Sequence, residues 1–218
     1  MPKKNNRSKQ DLKPILHIFC EGEKTEPNYL KGYLERFFST NRRLKVIKIE
    51  PTNKNTPKQL VEEAIKKQKY CPDGDSFWAV YDRESEQKYS DNLHAQAYNK
   101  AQKHSIDVAL SNVCFEAWLL LHFTSSSAPY NCYDDLRKKS NLRAECKKRG
   151  VKDYDKGNKE IFDQLTENEI KTARVNAKRI NEQSKCNANS SKTKPYQLNP
   201  FTDVYLLLDA IDAMASKQ

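Results

Sequence analysis

The feature that most narrows the fold of this sequence is an alternation between short apolar runs and stretches of helical periodicity. Residues 15–20 are mostly apolar and stop at Glu21-Gly22, residues 77–81 stop at Asp82, and residues 106–110 run into Ser111-Asn112. Such runs of four to eight residues with abrupt polar ends read as buried parallel strands, and residues 44–49 alternate as a further one. Between them, Tyr29, Leu30, Tyr33, Leu34, Phe37 and Phe38 mark a helix over 26–40. A second opens at Thr56-Pro57 with Leu60, Val61, Ala64 and Ile65 inward, a third covers 91–104, and a short apolar one covers 114–123. This order predicts an α/β fold, a mainly parallel sheet with helices on both faces.

Beyond residue 124 the pattern changes. Ser125 to Pro129 is a loop signal, 132–185 is lysine-rich and helical without strand candidates, and 186–200 is an Asn/Ser/Lys-rich stretch expected to be a flexible loop. A last helix over 202–214 turns Val204, Leu207, Leu208 and Ile211 inward to pack on the sheet. The expected organisation is a disordered basic arm (1–13), an α/β core (14–124), a basic helical insertion with its loop (125–200) and a C-terminal helix (201–218).

Composition excludes several classes. No run approaches the roughly 20 apolar residues of a membrane span, and the polar, basic start does not resemble a signal peptide. The six cysteines (20, 71, 114, 132, 146 and 186) form no C-x-x-C pair and read as reduced cytosolic thiols. The net charge is +10, and residues 1–60 carry 14 basic against six acidic side chains. The run Arg137-Lys138-Lys139, Arg143, Lys147-Lys148-Arg149, Lys152, Lys156, Lys159, with Lys171, Arg174, Lys178 and Arg179 after it, would supply phosphate contacts if it gathers on one side; it is otherwise an ordinary solvated face. Tyr130, Tyr133 and Tyr154 either stack unpaired bases or are buried.

In open α/β sheets ligands collect at the carboxyl ends of strands. Here those ends are acidic: Glu21, Glu23 and Glu26 follow the first strand, Asp82 and Glu84 the third, and Glu116 lies one turn into the helix after the fourth. Clustered carboxylates repel unless a cation lies between them, and hard oxygen donors suit Mg²⁺ or Mn²⁺. Lys24 and Arg83 stand beside them to hold a phosphate. The competing reading is that these acids cap helices or sit in solvated loops: Thr56 and Asp91 are expected N-caps, Glu26 favours a helix dipole, and Glu116 orients Lys24 or Arg83. His122, ending an apolar helix, reads as structural.

Cys20-Glu21-Gly22-Glu23-Lys24-Thr25-Glu26-Pro27-Asn28-Tyr29, Tyr81-Asp82-Arg83-Glu84, the stretch from Ser111 through Phe115-Glu116 to Phe123, Tyr154-Asp155-Lys156 and Asn199-Pro200-Phe201-Thr202-Asp203-Val204 resemble the RloB/AbiLii-like proteins of bacterial anti-phage defence. That family is similar to the Toprim fold of topoisomerases, primases and OLD-type nucleases. The resemblance implies that Glu21 is the first-strand glutamate, that Asp82 and Glu84 stand for an Asp-x-Asp pair, and that Glu26 is the glutamate of a second metal, one residue further on than usual. Glu84 departs from the usual aspartate, and its extra methylene moves the carboxylate by about 1.5 Å.

The resemblance implies a Mg²⁺- or Mn²⁺-dependent nuclease of abortive infection acting on RNA, tRNA or DNA: Glu21, Glu26, Asp82 and Glu84 as metal ligands, with Glu21, Glu26, Lys24, Arg83 and Glu116 in the catalytic set. It also implies an ABC- or AAA-type ATPase partner, since the chain carries no G-x-x-x-x-G-K-[ST] of its own. No membrane partner is expected, and a homo-oligomer is compatible with the sequence. A second function class fits the same residues: a non-catalytic metal- or nucleotide-binding module that signals through the ATPase. A phosphoacceptor domain is disfavoured because the first strand ends in Glu rather than a nucleophilic Asp.

Overall fold

The computed structural model describes residues 13–38, 46–151, 154–158 and 160–216. The basic arm expected over 1–13 thus lies outside the described residues apart from Lys13, as do Lys152 and Lys159 of the basic run. Five strands form one sheet in the order β2 (Ile47–Glu50), β1 (Leu16–Cys20), β3 (Ser76–Asp82), β4 (Asp107–Asn112), β5 (Phe201–Thr202). The first four are parallel, and β5 pairs antiparallel with β4 through Ser111↔Thr202 and Asn112↔Phe201. The fold is therefore α/β with a mostly parallel sheet, an arrangement consistent with a Toprim-like fold.

Strand periodicity of two sorts the core onto the two faces of the sheet. Leu16, Ile18, Cys20, Trp78, Val80 and Ala109 face one way, toward α1 (Thr25–Phe38) and α4 (Phe115–Leu120). Phe19, Phe77, Ala79, Tyr81 and Leu110 face the other, toward α2 (Pro57–Gln68) and α3 (Asp91–Lys103). The lysine-rich second half forms α5 (Tyr133–Lys139), α6 (Leu142–Lys148), α7 (Glu160–Asp163) and α8 (Glu167–Asn187), followed by α9 (Val204–Ser216). Leu136, Leu142, Phe162, Ala173, Leu207 and Ile211 from these helices bury in the same apolar cluster as the α1 face.

Three local expectations need correction. Thr56 caps α2 as expected, accepting from the Gln59 N–H, but Ser90 rather than Asp91 caps α3, because its hydroxyl accepts from the Leu93 N–H. The stretch expected as a flexible loop is partly core: Tyr196, Leu198 and Pro200 are buried, and a 3₁₀ turn spans Pro195–Gln197. The segment at 201–202 is an edge strand where helix was expected. A two-residue strand is too short to leave a periodicity, and α8 holds it: the Asn181 amide donates to the Thr202 carbonyl at 2.9 Å and accepts from the Thr202 N–H at 3.0 Å, standing in for a neighbouring peptide.

Candidate metal centre at the strand ends

The order β2-β1-β3-β4 reverses direction between β1 and β3, and an open α/β sheet leaves a crevice at the carboxyl ends of such a pair. Glu21 and Asp82 end these two strands. The Glu21 N–H donates to the Val80 carbonyl at 2.9 Å, extending the ladder by one residue, and the Glu21 carboxylate accepts from the Asp82 N–H at 3.1 Å. Beyond Asp82 the chain stays tied to β4, with the Arg83 N–H on the Ser111 carbonyl and the Glu84 N–H on the Val113 carbonyl, both at 2.8 Å. Glu84 adopts a left-handed φ of 55°, a conformation few non-glycine residues take.

Glu21, Asp82 and Glu84 line a cavity of about 400 Å³ with Glu23, Lys24, Glu26, Lys88, Glu116 and Lys156. Glu26 reaches it from the first turn of α1 because residue 22 is glycine: a Cβ there would stand 2.4 Å from the Glu26 carboxylate oxygen. Glu116 enters from the first turn of α4, fully buried, with one oxygen accepting from the Tyr154 hydroxyl at 3.3 Å. Its other oxygen has no hydrogen-bond partner, and the Lys156 ammonium lies 4.0 Å away. A buried carboxylate oxygen without a hydrogen bond is costly unless an ion pair, a water or a bound cation satisfies it.

Electrostatics match this crowding. Burial pushes the Glu21 carboxyl up to about 7. It raises Glu26 as well, with help from Glu116, and lifts Asp82 well above the usual carboxylate range, reinforced by Glu26 and Glu116. Burial works to lower Lys156, but the pull of Glu116 and Asp82 outweighs it and holds the ammonium charged. Six carboxylates facing three lysines form an all-oxygen donor set suited to a hard divalent cation. No three of these oxygens gather within 4.8 Å of one another, so a cation would have to draw them in.

The structure thus brings Glu21, Lys24, Glu26, Asp82, Glu84 and Glu116 to one cavity, and leaves Arg83 out of it. Arg83 is 4% exposed, and its guanidinium donates to the carbonyls of Tyr196 and Tyr89, each at 2.8 Å, and to the Asp91 carboxylate at 2.6 Å. Its donors are spent on tying β3 to α3 and the 3₁₀ turn, so it cannot steady a phosphate in the cavity. A residue that sequence reasoning does not place in the site is Lys156. Its signal is the Tyr154-Asp155-Lys156 motif, which the surrounding run of lysines masks. Gly157, at φ 84°, lets this loop close on the site, since a Cβ there would stand 2.5 Å from the Cβ of Lys24. Glu116 therefore faces Tyr154 and Lys156, and neither Lys24 nor Arg83 is hydrogen-bonded to it.

His122 is buried: its Nδ1 lies 3.1 Å from the Leu119 carbonyl, so that nitrogen carries the proton and Nε2 accepts from the Tyr29 hydroxyl at 2.9 Å. Burial pushes it down to about 4, so it is a neutral structural residue at pH 7. Tyr130 and Tyr154 are buried, and Tyr133 lies under the Lys156 ammonium at 4.5 Å. Part of the basic run is committed internally. Arg149 pairs with Glu145 and Glu169, Arg174 with Asp209 and Asp212, Lys139 with Asp135 and Lys148 with Glu145.

A family model described as RloB-like protein matches residues 16–211, nearly the whole chain. The chain belongs to the RloB-like family. The match begins at β1 and ends within α9, so it takes in every strand and the whole cavity. Comparison with curated proteins finds no match, and neither does comparison with solved structures. Among the described residues no helix is long and apolar enough to cross a membrane.

Proposed function

We propose that this RloB-like protein is a divalent-cation-dependent nuclease that hydrolyses phosphodiesters of nucleic acid, as the effector of an ATPase-coupled anti-phage defence. The observation that carries this reading is the meeting of Glu21 and Asp82 at the β1/β3 switch point, with Glu26, Glu84 and Glu116 around the same cavity. Glu21, Asp82 and Glu84 would hold Mg²⁺ or Mn²⁺, and Glu26 a second ion. A bound cation would stabilise charge developing on the phosphate oxygens.

The chain's own residues supply the rest. Lys24 and Lys156 flank the carboxylates and offer cationic contacts to a non-bridging phosphate oxygen, the role that sequence adjacency suggests for Arg83. As the alternative to holding a second ion, Glu26, whose carboxyl is raised by burial and by Glu116, would serve as a base. The N-terminus of α1 beside Lys24 adds backbone donors that favour an anion. Total tRNA, single-stranded RNA, plasmid and single-stranded DNA, incubated with Mg²⁺ or Mn²⁺ with and without the ATPase partner that the family resemblance implies, test the reading. Cleavage of one polymer that disappears with chelator, Glu21→Ala or Asp82→Ala is expected; full cleavage by both variants overturns it. Metal binding without cleavage of any polymer would favour the non-catalytic binding module.

A further inference from the structure

At the opposite end of β1 a second polar cluster sits in the core. His17 is 1% exposed and stacks on Phe77 at 4.8 Å between ring centroids. Its Nδ1 lies 2.6 Å from a Glu50 oxygen, and its Nε2 lies 2.9 Å from Asp75 Oδ2 and 3.6 Å from Cys71 Sγ. Asp75 is fixed in turn, its other oxygen accepting from the Ile15 N–H at 2.8 Å. Among the described residues, His17, Cys71 and Asp75 are the one set of three such side chains whose ligand atoms all lie within 4.8 Å of one another.

We propose that His17 Nε2, Cys71 Sγ and Asp75 Oδ2 form a binding site for a borderline-soft divalent cation of the zinc class, distinct from the carboxylate cavity. A carboxylate on Nδ1 fixes the tautomer that leaves Nε2 with its lone pair toward the cation, the carboxylate–histidine–metal arrangement in which the outer acid orients the ring. Glu50 occupies that place. With Zn–N of about 2.05 Å and Zn–S of about 2.3 Å, tetrahedral ligands stand about 3.5 Å apart, close to the observed Nε2–Sγ separation. The N–O pair would open from 2.9 Å to about 3.3 Å, a small rotation of Asp75. One thiolate, one imidazole and one carboxylate select zinc over magnesium, and three protein ligands leave a fourth position on the half-exposed Cys71 side. Without a cation, burial and the neighbouring Asp75 hold the Cys71 thiol protonated. The site does not depend on the nuclease reading.

The test is titration of the full chain with Co²⁺ and Zn²⁺ after chelator treatment. A sulfur-to-cobalt charge-transfer band at one equivalent, displaced by Zn²⁺, unaffected by excess Mg²⁺, retained in Cys186→Ser and absent in Cys71→Ser, is expected. Glu50→Gln should weaken binding about 10- to 100-fold. Protection needs no variant: Zn²⁺ should slow alkylation of Cys71 while leaving the exposed Cys186 unchanged. A band that survives Cys71→Ser, or equal alkylation of Cys71 with and without Zn²⁺, overturns the site and leaves His17 as a structural residue held between Glu50 and Asp75.

Discussion

Glu21 shows how a single side chain ties stability to the proposed chemistry. Its carboxyl rises from 4.5 to about 7 on folding because burial penalises the charged form. A raised carboxyl means the folded state binds the proton more tightly than the unfolded chain. Its stabilising contribution is therefore complete below about pH 4.5 and disappears as pH climbs through 7. Removing the ionisation should help: Glu21→Gln is expected to stabilise the cation-free protein by about 2 kcal/mol at pH 8, read as a Tm several degrees higher. Asp203, also pushed up to about 7 by burial, keeps its own share of the pH dependence in that variant. For the same reason Mn²⁺ affinity should strengthen as pH rises through 7, because the cation competes with the Glu21 proton; a flat profile would speak against Glu21 as a ligand. Arg83 presents the opposite case. Arg83→Lys should cost about 2–4 kcal/mol in denaturant unfolding, because an ammonium cannot reproduce the planar fork that reaches Tyr196, Tyr89 and Asp91.

At the level of elements, strands β1 and β3 and helices α1 to α3 are legible in the sequence because their apolar spacing is long enough to show a period. Strand β5 is not, being a two-residue segment whose partners are β4 and Asn181 of a distant helix. The site follows the same division. Residues ending strands can be found from where strands end, whereas Lys156 reaches the cavity only through a loop packed across α1, with the Asn28 amide donating to the Gly157 carbonyl at 3.1 Å. Arg83 misleads because adjacency to Asp82 in sequence says nothing about which way a strand-end side chain turns. Gly157→Ala should expose the loop's role: the left-handed φ and the clash with Lys24 together are expected to cost about 1–3 kcal/mol. Substrate affinity should fall with it, measurable by nucleic-acid binding in Ca²⁺.

Across the whole molecule, the sheet separates two polar centres along β1. The carboxylate cavity lies at its carboxyl end and the His17 cluster about 13 Å away, four residues earlier. Among the described residues part of the positive charge is paired within the fold, with Arg149, Arg174, Lys139 and Lys148 held by acids of neighbouring turns and helices. Under the proposed function, Lys24 and Lys156 at the cavity and exposed lysines such as Lys147 and Lys171 are the described cations available to a polyanion. Calorimetric titration of the full chain with Mn²⁺ tests most directly whether the carboxylates at the switch point share a divalent cation. Saturable binding is expected, abolished by Glu21→Ala and by Asp82→Ala and left intact by Cys71→Ser. Equal Mn²⁺ binding by wild type and both carboxylate variants would contradict a shared cation.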